Sequence, residues 1–91
     1  MTLFETGTIV MTSGIRDMAN DMLFRSGINK ALQCHMNGDW GSISDDDKKS
    51  NDDALKNDDR LFSAYHIGNT KIWIITEWNR SVTTILLPKE Y

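Results

Sequence analysis

The feature that most constrains this chain is a change of hydrophobic period at Arg60. Before it, apolar residues return every three or four positions. After it, three runs rich in branched and aromatic residues follow one another: RLFSAYHI, TKIWIITEW and SVTTILLP. A period of 3.6 belongs to a helix with one buried face, and short β-rich runs between turn residues belong to strands. Helices first and strands afterwards predict an α+β domain, with the N-terminal helices packed on one face of a three- to four-stranded antiparallel sheet that ends in a β-meander. The chain has 91 residues, enough for one core and not for two. Residues 1–91 are therefore read as a single domain.

Each element has its own signal. Thr6 to Thr12 is short and β-branched and ends before Ser13-Gly14, which predicts a first strand. Ile15, Met18, Ala19, Met22 and Leu23 form one helical stripe, with Ser13 as its expected N-cap. Ile28, Ala31, Leu32 and Met36 form a second, and Ser26-Gly27 between them predicts a kink or short turn. Asn37-Gly38 is expected to close the helix in a left-handed cap. Gly68-Asn69 predicts a hairpin, and Pro88, which cannot donate to a ladder, ends the last strand.

The most unusual stretch is GDWGSISDDDKKSNDD, residues 38–53. Ser42 and Ser44 are each followed three positions later by an aspartate, and Lys48 and Lys49 follow the acids at helical spacing. Serine accepts from an orphaned first-turn N–H, and acids there face the positive end of the helix dipole. A capped, solvent-facing helix is expected, with Ala54, Leu55 and Asn51 turned inward. A calcium loop needs a turn-making glycine among spaced oxygen ligands and a closing acid, and Asp45, Asp46 and Asp47 are consecutive. Cys34 and His35 are adjacent and so diverge on a helix, and no set of zinc ligands is apparent. No cofactor and no metal is expected. No phosphate-binding glycine pattern is present and no carboxylate pair has an apolar seat, so the chain is read as non-enzymatic.

Charge divides along the chain. Residues 39–59 hold eight aspartates against three lysines, −5, whereas residues 60–91 hold four cations against two glutamates, +2. An acidic middle steers basic partners. The single cysteine, Cys34, excludes an intrachain disulfide framework and fits a reducing compartment. No apolar run approaches the roughly 20 residues of a membrane span, and the N-terminus lacks the basic start and apolar core of a secretory signal. A cytoplasmic protein without membrane contact is expected.

The tryptophans suggest surfaces. Trp40 is expected to plug the end of the core, with its indole N–H on a backbone carbonyl. Trp73 alternates with Ile72 and Ile74, so both faces of that strand are apolar. It is either covered on both sides or awaits a partner on one, and a homodimer through the edge of strand 72–75 is one expectation. Trp78, beside Arg80 in a tight connection, reads equally as an interface anchor and as a side chain folded back on the sheet.

The segments HMNGDWG, RLFSAY and IWIITEWNRSVTTILLPKEY, with the Asn51-Asp52 pair, resemble a family of small uncharacterised bacterial proteins carried on plasmids, phages and integrated elements. The shared pattern is G-D-W-G, I-W-I-I-T-E, R-S-x-T-T and P-x-E-Y, here Gly38–Gly41, Ile72–Glu77, Arg80–Thr84 and Pro88–Tyr91, covering about the last two-thirds of the chain. Trp78 departs from it, standing where a small residue is expected. The resemblance implies a setting in mobile DNA and supplies no mechanism. Two functions follow as expectations. The first is a protein-binding modulator, such as an inhibitor of a host defence nuclease of the anti-CRISPR kind, with Asp45, Asp46, Asp47, Asp52 and Asp53 as the charged surface and Trp78 and Arg80 as anchor. The second is a nucleic-acid-associated accessory protein using Lys71, Arg80, Lys89 and Trp73 or Trp78 on the C-terminal sheet.

Overall fold

The computed structural model describes residues 2–91. Strand β1 (Thr8–Met11) leads into helices α1 (Ser13–Met18), α2 (Met22–Met36) and α3 (Asp45–Asn57). Strands β2 (Leu61–Ile67), β3 (Thr70–Thr76) and β4 (Val82–Leu86) follow, and a 3₁₀ turn at Pro88–Glu90 closes the chain. The α+β class holds. The sheet runs β1-β4-β3-β2 and is mixed rather than antiparallel throughout. The meander β2-β3-β4 is antiparallel, but β1 lies parallel to β4, with Thr8 opposite Val82 and Met11 opposite Ile85. The reason is the crossover. A strand that returns through helices can lie parallel, whereas a two-residue hairpin joins only antiparallel strands.

One sheet face carries Leu61, Ser63, Ile72, Ile74, Thr76, Thr83 and Ile85, all buried. Ile15 and Ala19, with Phe24, Ile28 and Ala31 of α2, form one core cluster with Ile72, Ile74 and Ile85. Trp40 and Ala54 form a second with Leu61. Trp40 thus plugs the core end as expected, but its Nε1–H donates to the carboxylate of Asp52 at 3.2 Å and not to a carbonyl.

The helical break lies earlier than the glycine suggested. Asp21 accepts the N–H of Leu23 at 2.8 Å and starts α2, which then runs unbroken through Ser26-Gly27. This N-cap resets the phase. Phe24, Ile28, Ala31 and His35 face inward, while Met22 and Leu23 stand 78% and 82% exposed. Gly27 is a packing residue: a Cβ there would sit 2.7 Å from Ile67 Cγ2. Ser13 is not a cap either. Thr12 holds the N-cap position, and the first turn of α1 is closed from the far end of the chain, where the Glu90 carboxylate accepts from Gly14 N–H at 2.9 Å and from Thr12 Oγ1 at 2.5 Å. Ser44 does cap α3, accepting from Asp47 N–H, and Asp58 ends it at φ 54°.

β3, with its two apolar faces, is central, so strand 72–75 has no free edge. The outer edge of β2 is closed by other parts of the chain. Ala64 pairs with Trp40 and Ser42 through backbone bonds, and the Asn51 amide satisfies both Phe62 N–H and Phe62 C=O.

Candidate functional site

Of the five aspartates of α3, Asp45, Asp46 and Asp47 occupy the first turn and all five are exposed. Asp46 and Asp53, seven residues apart, share one side of the helix. Lys48, Lys49 and Lys56 share the helix, so its five acids leave a net −2. Asp52 is the member with a structural task, since it holds the indole of Trp40.

Trp78 and Arg80 sit together in the β3–β4 turn but do different things. Trp78 is 62% exposed and so does not fold back on the sheet. Arg80 turns back into the protein. Its guanidinium donates to the carbonyls of Ala54 at 3.1 Å, Asp59 at 2.6 Å and Glu77 at 3.1 Å, and lies 5.8 Å from the Phe4 ring centroid. The Ala54 carbonyl near the end of α3 also accepts from the backbone N–H groups of Asp58 and Asp59, so Arg80 adds a side-chain tie between the end of the helix and the turn that carries Trp78. Its own backbone holds φ 59°, and Asn79 Oδ1 accepts from both Ser81 N–H and Ser81 Oγ–H, which tightens the turn.

The sheet face turned away from the helices carries an aromatic cleft of about 210 Å³ lined by Arg60, Phe62, Trp73, Ile75 and Tyr91. The rings of Phe62 and Tyr91 meet Trp73 edge-on, with centroids 5.1 and 5.7 Å away. Arg60 donates to Tyr91 Oη at 2.8 Å and approaches Glu77 at 3.4 Å, the one ion pair among the described residues. Lys71 is exposed on the same face of β3. The Arg80 guanidinium is turned toward the end of α3 and the turn, with donors on the Ala54, Asp59 and Glu77 carbonyls.

A buried polar chain that the sequence reading missed runs beneath α2. His35 is fully buried, with Nδ1 2.5 Å from Ser63 Oγ and Nε2 2.9 Å from Thr76 Oγ1. Thr76 Oγ1 lies 2.8 Å from Thr83 Oγ1, and Thr83 donates to the Thr6 carbonyl at 2.8 Å. The terminal carbonyl only accepts, and this sets every proton. Thr83 donates to Thr6, so Thr76 donates to Thr83, His35 Nε2–H donates to Thr76, and Ser63 donates to His35 Nδ1. Burial, and secondarily the charge of Arg80, lower the imidazole pKa to about 4. The signal in the sequence was the hydroxyl spacing Ser63, Thr76 and Thr83 within apolar strands, readable only once register was known.

Cys34 is half-buried, and its thiol pKa is raised by burial and then by Asp39, which leaves it a poor nucleophile. His66 lies 3.5 Å from Ser42 Oγ. Among the described residues no three His, Cys, Asp or Glu side chains gather as a metal site, and no helix is long and apolar enough to cross a membrane. The fold and surface define a small two-layer α+β domain with an acidic helix and an exposed tryptophan joined by one arginine. Comparison of the chain with protein families, with curated proteins and with solved structures finds no match.

Proposed function

We propose that this protein is a non-enzymatic, cytoplasmic protein-binding modulator, and that its partner carries a basic groove beside an apolar pocket, as a nucleic-acid-binding nuclease does. The observation that carries this reading is the Arg80 bracket, which ties the turn bearing the exposed Trp78 to the C-terminal end of the acidic helix α3. Preorganisation lowers the ordering cost of binding, and a tryptophan entering a pocket is a frequent energetic centre of an interface. Asp45, Asp46, Asp47 and Asp53 steer the encounter, while Asp52 and Arg80 hold the surface in shape. The resemblance to mobile-element proteins supports a bacterial host factor as partner. A net −2 on the helix supports one acidic patch and not a whole-molecule imitation of DNA.

The test is capture from bacterial lysate by the immobilised protein at about 0.05 M and about 0.3 M salt, since the screening length falls from roughly 14 Å to roughly 6 Å over that range. The wild-type chain is expected to retain one partner that is lost both on changing Asp45, Asp46, Asp47 and Asp53 to Asn and on Trp78→Ala, with less retained at high salt. Undiminished capture by both variants, or no partner for the wild type, overturns the proposal. A second reading, single-stranded nucleic acid on the open sheet, draws support from the Phe62–Trp73–Tyr91 cluster beside Arg60 and Lys71. It requires low-salt binding to single strands that Trp73→Ala abolishes and the aspartate changes leave intact.

A further inference from the structure

The two edges of the sheet are treated differently. The β2 edge is shut by Asn51, Trp40 and Ser42, as described above. Among the described residues the β1 edge has no such cover. Thr8 N–H bonds to Ser81 C=O and Thr12 N–H to Ile85 C=O. Strand geometry alternates, so the N–H and C=O groups of Ile9 and Met11 point away from β4. All four residues of β1 are exposed, and three are large and apolar: Ile9 at 43%, Val10 at 39% and Met11 at 36%.

Natural edges are usually blunted by shortness, lysine, proline, a bulge or a covering segment; β1 is short, at four residues, but has neither lysine nor proline in its TIVM sequence. Its apolar side chains fall on both faces of the sheet, Ile9 and Met11 on one and Val10 on the other. A helix laid on one face would cover only half of them and leave the backbone groups open. A further strand covers both faces and pairs the edge in one step.

We propose that this strand is β1 of a second copy, the two chains joining antiparallel about a two-fold axis at Val10. That register places Ile9 opposite Met11 in both directions, so the four outward N–H and C=O groups of each chain are paired with their counterparts. Val10 faces Val10, Thr8 faces Thr12, and no like charges are opposed. Branched and Thr–Thr pairs of this kind favour an antiparallel ladder. The contact is isologous, and so it closes as a dimer and does not propagate into a filament. β1 and β2 are opposite edges of the sheet, and dimerisation therefore leaves α3, which packs beside β2, accessible on each copy.

Sedimentation of the full chain from about 1 to about 200 µM tests this, a range that reads dissociation constants from about 1 µM to about 0.2 mM. The wild type is expected to pass from monomer to dimer across the range. Ile9→Pro removes an outward N–H that no ladder bond to β4 uses, and Met11→Lys places a charge on the edge. Each is expected to weaken association at least about tenfold with the melting midpoint of the dilute monomer shifted by less than about 4 °C. A wild-type monomer throughout the range overturns the proposal, and so does a dimer that both variants retain. Should Ile9→Pro fail to fold, Met11→Lys alone decides.

Discussion

Acid should destabilise this protein well above the range where its carboxylates protonate, and the cause is a single imidazole. His35 is fully enclosed, and burial together with the Arg80 charge lowers its pKa from 6.5 to about 4. The neutral ring is the form the folded state holds, because Nδ1 must accept from Ser63 while Nε2 donates to Thr76. Unfolding frees the ring to take a proton at its ordinary pKa. The unfolded chain therefore binds more protons at every pH between the two values, and stability falls as pH drops through 6.5 toward 4. Between about pH 7.5 and about pH 5 the loss from this one group is about 2 kcal/mol, approaching about 3 kcal/mol near pH 4.

For a domain with roughly 5–15 kcal/mol in total, a loss of that size is easily measured. Urea melts at constant ionic strength should show it directly, and thermal melts should move down by about 8–16 °C over the same interval. His35→Gln keeps a donor and an acceptor on one side chain but cannot titrate, so its stability should be nearly flat between about pH 7.5 and about pH 5. A wild-type curve flat over that interval, or a His35→Gln curve as steep as wild type, would refute the reasoning. Should the variant be too unstable to melt cleanly, the ring C–H resonances of wild-type His35 decide the matter: they should stay fixed from about pH 7 to about pH 5.

Two further substitutions probe the joints that hold the layers together. Asn51→Leu strips both bonds from the Phe62 backbone and should cost about 2–6 kcal/mol, at about 1–3 kcal/mol for each backbone group left unpaired; a urea melt within about 0.5 kcal/mol of wild type would contradict this. Glu90→Gln should lower the melting midpoint and weaken amide protection in α1, because the carboxylate accepts from Thr12, Leu87 and Gly14. These bonds, that from Thr12 foremost, hold the Glu90 pKa below the usual carboxylate range. The stabilisation it brings is therefore complete above the unfolded carboxylate pKa and lost as pH falls through the lower folded value, so the variant should lack that acid limb.

Much of the architecture was legible because local signals agreed with one another. The Ser44 cap, the inward Asn51 and Ala54, the Gly68-Asn69 hairpin and the Asn37-Gly38 ending all follow from spacing and turn chemistry. The misplaced helix break at Ser26-Gly27 has a physical reason: glycine was read as a backbone signal, whereas its task is to let Ile67 approach the helix, and that requires knowing what lies opposite. The parallel β1 was hidden because strand direction is a property of the connection and not of the strand. At the candidate surface, residue type singles out Trp78 and Arg80, but does not tell that they face opposite ways. Trp40 and Asp52 are separated by twelve positions, and only the fold reveals that one of the aspartates is held by an indole.

The buried polar chain also resolves a difficulty that the apolar pattern creates. β3 reads Ile72-Trp73-Ile74-Ile75, apolar on both faces. A one-residue slip would exchange its faces at little hydrophobic cost, and a two-residue slip would keep them unchanged. Hydrophobic burial is non-directional and does not choose among these registers. The hydroxyls do. Thr76 stands directly opposite Thr83, and Ser63 lies on the adjacent strand within reach of the other imidazole nitrogen. Shifting either pairing by two residues removes a partner from His35 or from a threonine and leaves a buried donor or acceptor open, at about 1–3 kcal/mol each. Because each link fixes the proton direction of the next, from Ser63 through to the Thr6 carbonyl, one slip breaks more than one bond. The histidine that lowers stability in acid is thus the same group that selects one strand register out of several that the apolar residues alone would accept.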